Sequence, residues 1–249
     1  MDKVLYVAMT GAKNNMLAQV AHSNNLANVN TTGFKSDLAQ ARSMPVYHGD
    51  GLPTRAYAMT ESPSTDHSHG PSIETGRDLD ISIQQDGFIA VQAPDGQAAY
   101  TRAGSLHIDS LGILRTGSNL PVLGNGGPIA IPAAEKVEIG LDGTISVLPL
   151  GEDAEAIAQI DRIRLVNPPI ETLAKSPDGL FRALGAEDEI PADASVRIVS
   201  GFLEGSNVNA VNELTGILSL SRQYEMQVKI MQTAKENSEA SSRLLSLQG

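Results

Sequence analysis

The chain has 249 residues, 41% of them hydrophobic and 19% charged, enough for one large domain or two small ones with a real core. Lys+Arg number 18 against 29 Asp+Glu, and the net charge of -11 repels phosphate backbones and argues against a nucleic-acid partner. There are no cysteines, which excludes disulfides, thiol nucleophiles and cysteine-ligated metals.

The opening apolar patch Leu5-Tyr6-Val7-Ala8-Met9 breaks at Thr10, Gly11 and Lys13. It predicts neither a cleavable secretory signal nor a membrane helix, which needs ~20 apolar residues. All 13 prolines lie between Pro45 and Pro191, so the two ends read as helical and the middle as rich in turns. Over residues 2–28, Leu5, Met9, Ala12, Met16 and Val20 recur at three or four residues and predict one helical stripe. Asn14, Asn15, Asn24, Asn25 and Asn28 fall on the opposite face. Asparagine is a poor helix former, so this helix needs a partner.

Residues 45–75 are rich in Ser, Thr, Pro, Gly and His and read as an extended connector. From there the pattern turns to β. Leu79, Ile81 and Ile83 alternate with Asp80 and Ser82, Asp86-Gly87 makes a turn, and Phe88, Ile89 and Val91 form the next strand. Pro94-Asp95-Gly96 and Leu141-Asp142-Gly143 are further turns. Their spacing predicts an antiparallel sandwich or open barrel. Gly87 and Gly104 sit at turn positions where a positive φ is expected. In the last segment Leu214, Ile217, Tyr224, Val228 and Met231 keep spacings of three and four with Ser221 between them, close to a heptad seam. Such a helix must bury its stripe on another, and the N-terminal helix is the candidate. The expected fold class is α+β: paired long N- and C-terminal helices, coiled-coil-like, plus a central antiparallel all-β domain. The expected boundaries are 1–34 for the first helix and its signature, 35–75 for the connector, 76–203 for the β domain and 204–249 for the last helix.

Nothing in the sequence converges into an active site. His67 and His69 beside Asp66 offer half a zinc shell, in a segment that reads as a solvated loop. Asp78 and Asp80 are spaced as a carboxylate pair, but in an alternating strand they face solvent. Gly124-Asn125-Gly126-Gly127 has no helix after it to cradle a phosphate. The expectation is no catalytic, metal or cofactor site and no small-molecule ligand.

Three stretches together carry a likeness. Ser23-Asn24-Asn25-Leu26-Ala27-Asn28-Val29-Asn30-Thr31-Thr32-Gly33-Phe34-Lys35 resembles the N-terminal signature of the flagellar rod and hook proteins. Gln85-Asp86-Gly87-Phe88 through Tyr100-Thr101-Arg102-Ala103-Gly104-Ser105-Leu106 is similar to the core of that family's β domain. Gly201-Phe202-Leu203-Glu204-Gly205-Ser206-Asn207-Val208-Asn209-Ala210-Val211-Asn212-Glu213-Leu214 resembles its C-terminal helix signature. Within the family, the opening residues and Thr233-Ala234-Lys235-Glu236-Asn237 fit the proximal-rod branch better than the distal. The chain departs from the usual pattern at His22, Gly205, Thr215 and Gly216.

The resemblance implies a non-enzymatic structural subunit of the rod, the flagellar drive shaft that crosses the periplasm. It implies proximal and distal rod subunits, and further copies of itself, as partners, and the flagellar type III export apparatus as the route out. It also places Asn24, Asn25, Leu26 and Asn28 with the helix-packing residues, and Gly33, Phe34, Asn207 and Asn209 among the structural signature positions. The alternatives are a distal rod protein, or a non-flagellar β-domain binding module that dimerises through its helices.

Overall fold

The computed structural model describes residues 3–47, 52, 55–60, 64–151, 157–185 and 190–246. They divide into two compact units, one of residues 1–29, 36–67 and 208–249 and one of 30–35 and 68–207.

The first unit is built on α1 (Lys3–Ala27) and α2 (Ala210–Ser246), the two α-helices among the described residues. Asn209 caps α2: its Oδ1 accepts from the amides of Val211 at 3.0 Å and Asn212 at 3.2 Å, satisfying two of the open donors of the first turn. The same unit holds β1 (Asp37–Leu38), β2 (Ala41–Val46), β3 (Arg55–Thr60) and β4 (Ser64–Thr65). β1 pairs with β4, and β2 and β3 form an antiparallel ribbon in register from Ala41↔Thr60 to Val46↔Arg55. β3 packs on α1. Composition alone reads this stretch as a connector; it carries strands because Ala41–Val46 and Arg55–Thr60 can exchange ladder hydrogen bonds despite Pro45, which an edge position tolerates.

The expected fold class is corrected here. α1 and α2 lie against each other, with Gly11 beside Gln227 and His22 beside Glu213, so they run antiparallel. Their contact is not an apolar heptad seam. Between Glu213 and Ala234 the covered positions of α2 are Glu213, Gly216, Ile217, Leu220, Ser221, Tyr224, Gln227, Met231 and Ala234. Five of these nine are polar or small, and of the nine only Ala234 is fully buried. A coiled coil needs apolar residues at both repeat positions of both helices. On α1 the buried residues are Ala8, Ala12 and Asn25, none of them a large apolar knob. Gly11 and Gly216 stand against Gln227 and His22 in this contact, and strands share the unit.

The second unit is all-β among its described residues, apart from one 3-10 turn at Ile170–Thr172. Its strands are β5 (Ser72–Glu74), β6 (Ile81–Ile83), β7 (Phe88–Gln92), β8 (Ala98–Thr101), β9 (Leu106–Ile108), β10 (Leu114–Thr116), β11 (Ala134–Ile139), β12 (Thr144–Pro149), β13 (Ala158–Arg162), β14 (Leu165–Val166), β15 (Leu173–Lys175), β16 (Phe181–Ala183), β17 (Ile198–Ser200) and β18 (Phe202–Glu204). The largest sheet has the order β14-β7-β8-β16-β15, and β11-β12-β13 form a second. β9 with β10, β6 with β17 and β5 with β18 make shorter antiparallel pairs. Ile81, Ile89, Val91, Leu106, Leu114, Ile145 and Ile198 fill one core, and Phe88, Tyr100, Val166 and Phe181 a second. Asp80 and Ser82 do not face solvent as strand alternation suggests: both are buried, because β6 is covered on both faces. Asp78 is exposed, so the two carboxylates are not a pair.

Candidate functional site

The helical unit shows large apolar side chains to solvent. On α1 these are Val4, Tyr6, Met9, Met16, Leu17 and Val20, the last 67% exposed. On α2 they are Val211, Leu214, Leu218, Met226, Val228 and Ile230. The expected packing residues therefore separate into two groups. Ala12 is buried, and Leu5, Ile217, Tyr224 and Met231 are half-buried, while Met9, Met16, Val20, Leu214 and Val228 stand exposed. Leu220, which the predicted stripe passes over, is half-buried with the first group. Periodicity finds a stripe but not the side that is covered. Val4, Met226, Ile230 and Ala234 line a groove of about 520 Å³ at the N-terminal end of α1. Scattered exposed apolar residues are ordinary; a contiguous apolar face is what marks an interaction surface.

The asparagines close α1. Asn25 is buried, and its side chain pairs with the backbone of Asp37: Asn25 Nδ2 donates to the Asp37 carbonyl at 2.9 Å and Asn25 Oδ1 accepts from the Asp37 amide at 2.8 Å. Asn24 Nδ2 donates to Asp37 Oδ2 at 2.9 Å. Asn28 Nδ2 donates to the carbonyl and Oδ1 of Asn24. Leu26 is half-buried beside them. This cluster fastens β1 to the end of α1, and it explains why residues of poor helix propensity recur there.

In the β unit the three signature stretches meet at charges that sequence reasoning passed over. Lys35, Arg102 and Glu204 are each buried. Glu204 Oε1 accepts from Lys35 Nζ at 2.7 Å and from the Gly70 amide at 3.1 Å, and Oε2 accepts from Arg102 Nε at 2.6 Å. Lys35 Nζ also donates to the Ser68 carbonyl at 2.7 Å. Arg102 Nη1 donates to the carbonyls of Gly87 and Gln85, and Nη2 to the Ile83 carbonyl and to His69 Nδ1 at 3.1 Å. All five guanidinium donors are thus engaged, as a buried arginine requires. Burial pushes the Glu204 carboxyl up, but the Lys35 hydrogen bond and the Arg102 charge outweigh it and hold it below the usual carboxylate range. The signal was legible, since each is a charged residue within one of the three stretches.

The remaining signature residues support this clamp. Gly33 has φ 69°, and a Cβ there would collide with the backbone of Arg102 and Ala103. The Gly33 amide donates to the Glu204 carbonyl at 2.8 Å. Phe34 is buried with Lys175 Nζ 3.9 Å above its ring, while that ammonium also donates to the Lys35 carbonyl. The Asn207 amide donates to the Phe34 carbonyl, and its side chain to Ser68. Gly87 has φ 143°. Gly104 does not take the positive φ expected of it; it is required because a Cβ would overlap the Ile81 carbonyl oxygen. His69 belongs to the clamp, with Nε2 3.5 Å from Asp86 Oδ1. Among the described residues no group of three or more His, Cys, Asp or Glu is placed to hold a metal ion.

Three family models match the chain: flagella basal body rod protein over residues 5–35, flagellar hook protein FlgE/F/G D1 domain over 82–147, and flagellar basal body rod FlgEFG protein C-terminal over 199–244. Lys35, Arg102 and Glu204 fall one in each. The chain is 39% identical to the flagellar basal-body rod protein FlgF of Escherichia coli (strain K12), over 99% of this chain and 100% of that one. It is 34% identical to FlgF of Caulobacter vibrioides, over 95% of each. The flagellar basal-body rod protein FlgG of Bacillus subtilis (strain 168) is 32% identical over 95% of this chain and 96% of its own.

Proposed function

We infer how this chain works from one premise: it belongs to the flagellar basal-body rod protein family and is a structural subunit of the rod. The FlgF proteins of Escherichia coli and Caulobacter vibrioides match at higher identity than the FlgG protein of Bacillus subtilis, so the rod position of the former is the better fit. We propose that the chain polymerises with proximal and distal rod subunits, and with copies of itself, through the outer faces of α1 and α2. The observation that supports this is the inversion of the helices, which bury alanine and asparagine and expose methionine, valine and leucine. A neighbour's helix covering Met9, Met16, Val20, Leu214 and Val228 would recover about 1.5–3 kcal/mol for each large side chain fully buried. The rigid β unit, clamped at Lys35, Arg102 and Glu204, would then carry torque along the shaft. Export by the flagellar type III apparatus and a place across the periplasm belong to the same reading. No catalytic role is part of it.

The test is incorporation. Met16→Asp and Val20→Asp place charges on the outer face of α1, where the isolated chain tolerates them. Basal bodies from cells making each variant should lack the subunit, and the cells should not swim. Normal incorporation of both variants would refute assembly through this face.

A further inference from the structure

His22 of α1 lies against Gly216 of α2. We propose that His22 and Glu213, seated over Gly216, form a polar pin that fixes the axial register of α1 against α2. They are positioning residues: they set which outer side chains stand level with one another, and in that respect the proposal rests on the reading of this face as the assembly surface.

His22 Nδ1 lies 2.5 Å from Glu213 Oε2, across 191 residues of sequence. An ionised carboxylate only accepts, so Nδ1 carries the proton, and both the neutral Nδ1–H tautomer and the imidazolium can make the bond. The Glu213 side chain is 13% exposed, which shields the bond from competing water. A Cβ on residue 216 would lie 3.1 Å from His22 Cε1 and 3.3 Å from both ring nitrogens, so the glycine is the space the ring occupies. The fully buried residues of the first turns of α1 are the small side chains Ala8 and Ala12. Small side chains give closeness without register, whereas a directional bond across the interface sets it, as a single polar residue does in helix pairs. Gln227 over Gly11 repeats the packing of a polar side chain over a glycine with the helices exchanged, since a Cβ on residue 11 would lie 3.0 Å from Gln227 Nε2.

The experiment is hydrogen exchange on the dilute, purified full chain. His22→Leu keeps bulk over Gly216 but has no donor, and α1 amides should exchange roughly tenfold faster or more, the scale of one charged hydrogen bond. His22→Asn keeps a donor nitrogen near the Nδ1 position and should restore most of the protection. Adding Glu213→Ala to His22→Ala should cost nothing beyond either alone. Gly216→Ala should slow exchange in the His22→Ala background, where no ring stands in the way, and fail to do so in the native background. The proposal is overturned if Asn protects no better than Leu, if the two alanine effects add, or if native α1 exchanges as freely as an unfolded chain. Exchange in dilute solution involves no neighbour, so it reports on the pin alone, while incorporation into basal bodies reports on assembly. Either can fail without the other.

Discussion

In the β unit Ile81, Ile89, Leu106 and Leu114 have no exposed surface, while in the helical unit Met16, Leu218 and Val20 are 54%, 61% and 67% exposed. The β unit also takes the charged side chains of Lys35, Asp80, Arg102 and Glu204 inside, and pairs Lys35 and Arg102 with Glu204. Among their described residues the helices of the other unit bury only alanine and asparagine fully, and their larger covered residues stay half-buried. Both units expose some large apolar residues, Leu111, Leu141, Leu150 and Leu184 among those of the β unit, but only the β unit has a core of fully buried ones; among its described residues the helical unit fully buries none. The β unit draws its stability from within and the helical unit, on the proposed function, from the neighbours that cover it. Substitutions should therefore act on different observables in the two regions, melting in one and assembly in the other.

The largest effect is expected at Glu204. Glu204→Ala leaves the Lys35 and Arg102 cations buried without their carboxylate, and breaking such a pair costs about 3–5 kcal/mol. Calorimetry of the full chain should show the β transition falling on the order of 10 °C. An unchanged transition would mean that the clamp contributes nothing and that the β unit is held by its apolar cores alone.

Acid should act through the same residue. The folded Glu204 carboxyl lies below its ordinary value of 4.5, so its contribution is present above that value and is lost as the pH falls through the lower folded one. Stability of the β unit should fall as the solution is taken below the usual carboxylate range, and Glu204→Gln should flatten that limb. Asp109, Asp142, Asp178 and Asp193 are also held low by local hydrogen bonds, and they account for whatever slope the Gln variant keeps. A limb that is identical in the native chain and the variant would show that Glu204 is not the group responsible.

A smaller loss is expected at Gly104. Gly104→Ala would place a methyl group against the Ile81 carbonyl oxygen, and the two segments must separate to admit it, at roughly 1–3 kcal/mol. The melting point should fall by several degrees. If it does not, the β6 segment is looser than its burial indicates.

The reach of sequence reasoning follows the range of the forces involved. Turns such as Asp86-Gly87 and Asp142-Gly143 are local, set by backbone sterics within a few residues, and they are visible in the letters. Helix at both ends is visible for the same reason. The side of a helix that faces a partner is not local. Leu214 and Val228 keep a heptad-like spacing with Ile217, Tyr224 and Met231, yet the covered face turns instead to Glu213, Leu220 and Gln227. Gly11, Gly216 and the alanines let the backbones approach on that side, and no count along one helix reveals where its partner's small residues will stand. Gly104 shows the same limit. A turn glycine and a glycine under another strand's carbonyl read alike until the second strand is placed. Lys35, Arg102 and Glu204 lie up to 169 residues apart, and no spacing rule joins them.

The smallest effect on stability, and the sharpest test of the contrast, is expected at Val228. Its side chain is 40% exposed, and it lies outside the covered face that joins the helices. Surface changes away from buried features usually stay within ~0.5 kcal/mol, so Val228→Asp should leave the melting curve and the helical circular dichroism of the purified chain where they were. Assembly is another matter. If a neighbour covers this face, the new carboxylate must either be buried unpaired or keep water in the contact, and desolvating an unpaired charge costs several kcal/mol. A cell making the variant should hold normal amounts of folded protein and fail to swim. A drop in melting temperature would mean that Val228 belongs to the internal helix contact after all, and that the helical unit buries large side chains as the β unit does. Full motility with the variant present in purified basal bodies would mean that the apolar surface of α2 is not used in assembly.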